Sequence, residues 1–283
     1  MEPVMERFQT YMDAEGLSEK TKKNYLMVVQ SFLSQLKTPV SQATVEDVLS
    51  YISRFKESKA TQKVYAYGLR HFFKAVGGLD YRLIPIPKGV REPEVKALEE
   101  EDVKKIVSNI DLLGLPASRA VKYKAIIALT YELALRVSEA AGLKRKDLNE
   151  KSWECYVVRC KSLVPRVLPI TTDWVKDCLG LYLPKAPKED EAPLFPNRSG
   201  GFFRVEALSM LIHRLMSAAG YPYKPHVLRH TRATVLLKRG VDFFVVSRFL
   251  GHVNPANTAI YLHLTSEDIK RGLLKGSGLS GNT

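Results

Sequence analysis

Cysteine is scarce in this chain of 283 residues: Cys155, Cys160 and Cys178 form an odd number, and their spacing matches no zinc-ligand pattern. A disulfide framework and a cysteine-built zinc site are therefore not expected, and the three thiols fit the reduced interior of a cytoplasmic protein. Long apolar runs are missing as well. No stretch reaches the length of a membrane span, and the N-terminus MEPVMERFQTYMDAEG lacks the basic-then-apolar order of a secretion signal, so the chain is expected to stay in the cytosol. There is no GxxxxGK[ST] phosphate loop, no carboxylate cluster of the two-metal kind and no internal repeat. These absences argue against nucleotide hydrolysis, two-metal catalysis and repeat architectures.

Positive charge is abundant. Lys and Arg number 43 against 30 Asp and Glu, a net charge of +13 that favours a polyanionic partner, with nucleic acid as the first candidate. The excess is spread along the chain, with 13 basic against 9 acidic residues up to position 90 and 30 against 21 beyond it. That distribution suits a clamp better than a basic tail on a neutral enzyme. Charge alone does not decide the matter, since soluble proteins can be basic without binding DNA.

The punctuation of the chain predicts a mainly α fold in two domains. Residues 1–80 read as a four-helix domain. Ser18 caps a segment whose apolar residues Tyr25, Val28, Val29, Phe32, Leu33 and Leu36 follow the 3.6-residue period, and Pro39 closes it. Thr44 with Asp47 opens a further helix, and Ser58 opens another. Residues 81–95 contain Pro85, Pro87 and Pro93, a density that stops helix and stiffens an extended connector. Residues 96–283 read as a second, mostly α domain with a small three-stranded antiparallel sheet. An acidic helix, LEEEDVKKIVSNI, is followed by an apolar helix near Val121 to Leu135 that delivers Arg136, with Glu139 on the same helix. Alternation in Tyr156, Val158 and Val167 marks the sheet, Lys161 falls at its hairpin, and Pro184 to Gly201 reads as an exposed loop.

Chemistry concentrates between Pro225 and Tyr261. Pro225 suits a first helical turn and Gly240 its end, which puts His226 and Arg229 three apart on one face. Asp242 caps a second helix and Gly251 stops it, with His252 immediately after and Tyr261 nine residues further on. Singly, each residue has an ordinary explanation. Arg136 could pair with Glu139 or Glu132, a helix-end histidine is commonly a structural hydrogen bonder, and Tyr261 could be a half-buried aromatic. The ordered set Arg136, Lys161, His226-x-x-Arg229, Leu250-Gly251-His252 and Tyr261 resembles the signature of the tyrosine recombinases, specifically the Xer and phage-integrase type. The likeness covers residues 95–265 closely and the N-terminal part in outline.

That resemblance implies a function and a division of labour. Residues 1–80 would be the SAM-like core-binding domain, with Lys20, Lys22, Lys23, Lys56, Lys59, Lys63 and Arg70 as candidate phosphate contacts at helix starts and polar faces. Residues 96–283 would be the catalytic domain. Tyr261 would attack a DNA phosphate and form a 3′-phosphotyrosine bond, with no cofactor, metal or ATP. Arg136 and Arg229 would stabilise charge on the phosphate, because guanidinium pairs bidentately with phosphate oxygens and stays protonated. His226 and His252 would add hydrogen bonds, His226 doubling as proton acceptor, while Lys161 would protonate the leaving 5′ oxygen. Glu139 would support the site and His230 would be structural. The partners would be double-stranded DNA and further copies of the chain, four in the synapse.

Two positions depart from the family pattern. The hairpin usually reads Gly-Lys-Gly where this chain has Cys160-Lys161-Ser162, and the glycine common two residues before the first arginine is Ala134. His226 and His230, four apart, invite a zinc reading, but the protease pattern needs Glu where Val227 stands. Other readings left open are an integrase of a mobile element, a type IB topoisomerase and a non-catalytic DNA-binding protein. The chain's small size favours Xer-like resolution of chromosome dimers at a dif-like site. Ser266 would cap a short amphipathic helix, SEDIKRGLLKG, that docks on another subunit in this family.

Overall fold

The computed structural model describes residues 2–55, 58–87, 97–158 and 165–251. The chain divides into two compact units, Met1–Glu94 and Val95–Thr283.

The first unit is built from α1 (Glu2–Ala14), α2 (Glu19–Leu33), α3 (Val45–Ser53) and α4 (Lys59–Val76). Three of the four starts are fixed by side-chain oxygens bonding main-chain N–H groups that the helix itself leaves unpaired. Ser18 accepts from Thr21 N, Ser58 accepts from Thr61 N, and Thr44 and Asp47 cap each other reciprocally. The apolar stripes of α1, α2 and α4 meet at Phe8, Val28, Val29, Phe32, Leu69, Phe72 and Phe73, all buried. The chain stays with this core past position 80. A 3-10 turn at Tyr81–Leu83 leads to Ile84, which is 0 % exposed within the same cluster. Arg70 clamps the turn, its Nε donating to Ile84 O at 2.8 Å and its Nη2 to Arg82 O at 3.0 Å. The connector expected from residue 81 therefore starts later, because Ile84 fills an apolar site that an extended linker would leave open.

The second unit contains α5 (Glu100–Asn109), α6 (Ala117–Glu132), α7 (Val137–Gly142), β1 (Leu148–Asn149), β2 (Glu154–Val157), β3 (Arg166–Pro169), α8 (Asp173–Tyr182), α9 (Val205–Ala218), α10 (His226–Lys238) and α11 (Phe243–Leu250). α6 runs through its middle and packs on α5, α8 and α10, which explains why its last eight residues, Ala125 to Glu132, are all buried. The strands form one antiparallel sheet in the order β1-β2-β3, with Leu148 opposite Cys155 and Cys155 opposite Leu168. Its inward face is Leu148, Cys155, Val157 and Leu168, while Tyr156 and Val167 point outward. Burial pushes the Cys155 thiol up to about 12, so it is an inert core group.

Two expectations need correction. Arg136 does not ride the apolar helix. α6 ends at Glu132, where Leu135 N bonds Thr130 O and Ala134 N bonds Tyr131 O, a closure that places Ala134 at φ 47°. The stretch from Pro184 to Gly201 is not simply exposed either. Leu194 and Phe195 are buried, Leu194 N bonds Leu143 O at 2.8 Å, and the Tyr182 hydroxyl donates to Leu194 O at 2.6 Å.

Candidate active site

The break after α6 frees Arg136 to stand at the N-terminus of α7, where its own N–H donates to Glu139 Oε2 at 2.8 Å. Glu139 lies one turn into α7 with its side chain 2 % exposed, and it becomes the point on which three guanidiniums converge. Arg136 Nη1 donates to Oε1 at 3.2 Å. Arg166, the first residue of β3, grips both oxygens, Nη1 to Oε1 and Nη2 to Oε2 at 3.1 Å each. Arg229, on the first turn of α10, places Nη1 3.9 Å from Oε2. Burial alone would push the Glu139 carboxyl up, but hydrogen bonds from Arg166 and the charges of Arg166 and Arg136 outweigh it and hold the group below the ordinary carboxylate range. One anion among three cations leaves the cluster with a net charge of about +2 at neutral pH.

Arg229 is fully buried and aimed by main-chain carbonyls: Nη1 donates to Ala134 O at 2.7 Å and Nη2 to Leu250 O at 2.5 Å. The left-handed turn at Ala134 and the C-terminus of α11 thus meet at this one side chain. Arg166 Nε donates to Phe249 O at 3.1 Å, so α11 is tied twice. The helix ends there at Gly251, φ +65°, and a Cβ at that position would lie 3.1 Å from Arg166 Nη1. His226 opens α10 on its exposed side, and its ring meets that of His230 edge to face with centroids 4.5 Å apart.

A second buried pair braces the same helices. Arg232 on α10 bonds Glu132 at the end of α6, Nη2 to Oε2 at 2.8 Å and Nε to the main-chain O at 3.1 Å. The Glu132 carboxylate also accepts from the main-chain N–H and hydroxyl groups of Thr171 and Thr172.

The structure thus brings Arg136 and Glu139 together with Arg229, from two stretches of sequence, and His226 opens the same helical turn as Arg229. Lys161, His252 and Tyr261 lie outside the described residues, as do Lys56 and the segment from Ser266. Of the candidate DNA contacts, Lys20, Lys23, Lys59 and Lys63 are exposed, whereas Lys22 is paired with Asp13 and Glu19 and Arg70 is engaged by the carbonyls noted above. Sequence reasoning overlooked Arg166 and Arg232. A faint signal existed for the first, since an arginine opening a strand that must pack against an acidic, otherwise apolar helix start needs a buried partner. Among the described residues no group of three His, Cys, Asp or Glu is placed to hold a metal ion, and no helix is long and apolar enough to cross a membrane.

Comparison with known proteins matches residues 96–268 to the phage integrase family. The chain belongs to the phage integrase family. Residues 4–83 match the family's N-terminal SAM-like domain. Among curated relatives, Tyrosine recombinase XerA of Pyrococcus horikoshii is 31% identical over 96% of this chain and 93% of its own length. Tyrosine recombinase XerA of Saccharolobus solfataricus is 30% identical over 94% and 90%. Among solved structures, a XerA recombinase is 26% identical with a TM-score of 0.52, covering 99% of this chain and all of that one. A XerH recombinase bound to palindromic difH substrate shares the fold at a TM-score of 0.74 and 20% identity, over 97% of this chain and 85% of that chain. This member of the phage integrase family is thus a tyrosine recombinase of the Xer type, an enzyme of the class that cuts and rejoins DNA.

Proposed function

We propose that this recombinase binds double-stranded DNA at a specific site and exchanges strands through a 3′-phosphotyrosine bond made by Tyr261. The observation that carries the reading is the convergence of Arg136, Arg229 and Arg166 on the buried Glu139, with His226 on the same turn as Arg229. A net positive, preorganised cluster of this kind stabilises charge that builds on the non-bridging oxygens of a phosphate under attack. In the proposed step the Tyr261 oxygen bonds to phosphorus while the bond to the 5′ oxygen breaks. The phenolic proton passes to His226, and Lys161 supplies a proton to the leaving oxygen. Arg136 and Arg229 hold the phosphate, with His252 adding a hydrogen bond. The energy of the ester is kept in the tyrosyl linkage, so resealing needs no ATP, and no step calls for a metal ion.

Arg229 is fully buried, so DNA binding has to open a path from the phosphate to its guanidinium. The domain of residues 1–80 would grip the duplex through Lys20, Lys23, Lys59 and Lys63, with Lys22, Lys56 and Arg70 nearby in sequence, while residues 96–283 carry the chemistry. Four subunits would form the synapse, in the cytoplasm, with the segment from Ser266 docking between them. Likeness over the whole length to proteins named XerA supports a role in resolving chromosome dimers at a dif-like site rather than integration of a mobile element.

A nicked suicide substrate that releases its short 5′ fragment tests the chemistry. Wild-type protein, in the presence of EDTA and without nucleotide, should accumulate a covalent protein–DNA adduct on Tyr261. Tyr261→Phe should bind the same DNA within about twofold yet form no adduct, since only the attacking oxygen is removed. A Tyr261→Phe variant that still forms the adduct would overturn the reading.

A further inference from the structure

We infer that Arg166 is a positioning residue that keeps Arg136 available to the DNA phosphate by occupying the carboxylate that Arg136 would otherwise seize. This rests on the recombinase reading above and adds to it a residue whose work is done through another. A carboxylate and a guanidinium bond most strongly as a fork, two parallel N–H···O contacts in one plane. Glu139 and Arg136 are three apart at a helix start, close enough to form that fork with each other. They do not. Arg166 takes the fork, with both of its contacts at 3.1 Å, and leaves Arg136 a single side-chain contact at 3.2 Å. The consequence is visible in exposure: the Arg136 side chain stays 29% exposed, whereas that of Arg166 is 10% exposed.

All three nitrogens of Arg166 bond the protein itself. Nη1 and Nη2 each donate to Glu139 and Nε donates to Phe249 O. Its guanidinium lies against Gly251, where the absence of a side chain lets the end of α11 come this close. Arg166 therefore does two things with one planar group: it satisfies the buried carboxylate, and it pins the end of the helix that leads into His252. A lysine cannot substitute, because an ammonium offers no planar fork and would release one carboxylate oxygen to Arg136.

The test compares two substrates in single-turnover cleavage: an ordinary suicide duplex and the same duplex with a methylphosphonate at the scissile position, which removes the negative charge that Arg136 meets. With Arg166→Gln, binding of the ordinary duplex should stay within about twofold while its cleavage slows by roughly 10–100-fold, the range typical of lost support behind a catalytic group. On the methylphosphonate the Arg166→Gln penalty should shrink to less than about threefold, because the contact being positioned no longer matters to the rate. Arg166→Lys should behave like Arg166→Gln and guards against a folding defect specific to the neutral variant. An equal penalty on both substrates would show that Arg166 only supports the fold and would overturn the inference, as would full activity of Arg166→Lys. Failure of wild-type protein to form any adduct would instead sink the recombinase reading, and this inference with it.

Discussion

The His226 and His230 rings meet edge to face at the start of α10, and their surroundings set the two apart. His226 is exposed, whereas His230 is part-buried, and burial, followed by the charges of His226 and Arg229, pushes its pKa down to about 4. A histidine depressed in the folded state is neutral there at pH values where the unfolded chain takes up a proton. Below the unfolded value near 6.5 the unfolded state binds more protons, so stability falls as pH drops from about 6.5 to about 4 and is fully present above that window. Taken in full the shift corresponds to slightly more than about 3 kcal/mol at the acid end, and solvent screening of the part-buried ring lowers that. Thermal unfolding followed across pH 4–8 should show that slope in the wild type, and His230→Gln, which does not titrate, should flatten it. An unchanged slope would assign the acid sensitivity to other groups. At this scale the sequence was partly legible. Arg136, Glu139, His226 and Arg229 could be picked out because their local contexts are characteristic. Arg166 could not, since its partners Glu139 and Phe249 lie 27 and 83 residues away and no spacing rule reaches that far.

Helices start where a side chain satisfies the first free N–H groups, and that is why their beginnings were readable at Ser18, Thr44, Ser58 and Asp242: each cap bonds a residue two or three positions on. The end of α6 was not readable. YELALRVSEAA contains neither Gly nor Pro, and only the left-handed turn at Ala134, where a glycine would have signalled it, stops the helix. That turn carries weight because Ala134 O receives Arg229 and the helix end before it is held by Glu132 and Arg232. Arg232→Met removes one member of this buried pair and leaves the carboxylate with its Thr171 and Thr172 donors alone. A loss of about 3 kcal/mol is expected, at the low end for a buried pair because those four contacts persist. Adding Glu132→Gln should recover part of it, since the uncompensated charge is then gone. Urea denaturation of the single and double variants reads both numbers, and a double variant no better than the single would mean that packing, not charge, dominates.

Over the whole molecule, the positive charge is shared by two units whose apolar clusters have no residue in common. One is centred on Phe32, Leu69, Phe72 and Phe73, and the other on the residues around α6. The first cluster draws on all four helices and ends with Ile84, so among the described residues every side chain that fills it lies within 1–87. A segment of this size exceeds the length at which small domains fold alone, and an aromatic core with capped helices meets the remaining requirement. Residues 1–87 expressed alone should therefore melt in one cooperative transition with helical circular dichroism, and should bind duplex DNA more weakly and less specifically than the full chain. Its basic residues alone would supply the attraction, so the dependence of binding on salt should be shallower than for the intact protein, which adds the contacts of the second unit. Truncation at residue 80 removes Ile84 and both carbonyls that hold Arg70, so that fragment should melt at a lower temperature than 1–87. Equal melting temperatures would show that the turn after α4 contributes nothing to the core, against its complete burial of Ile84.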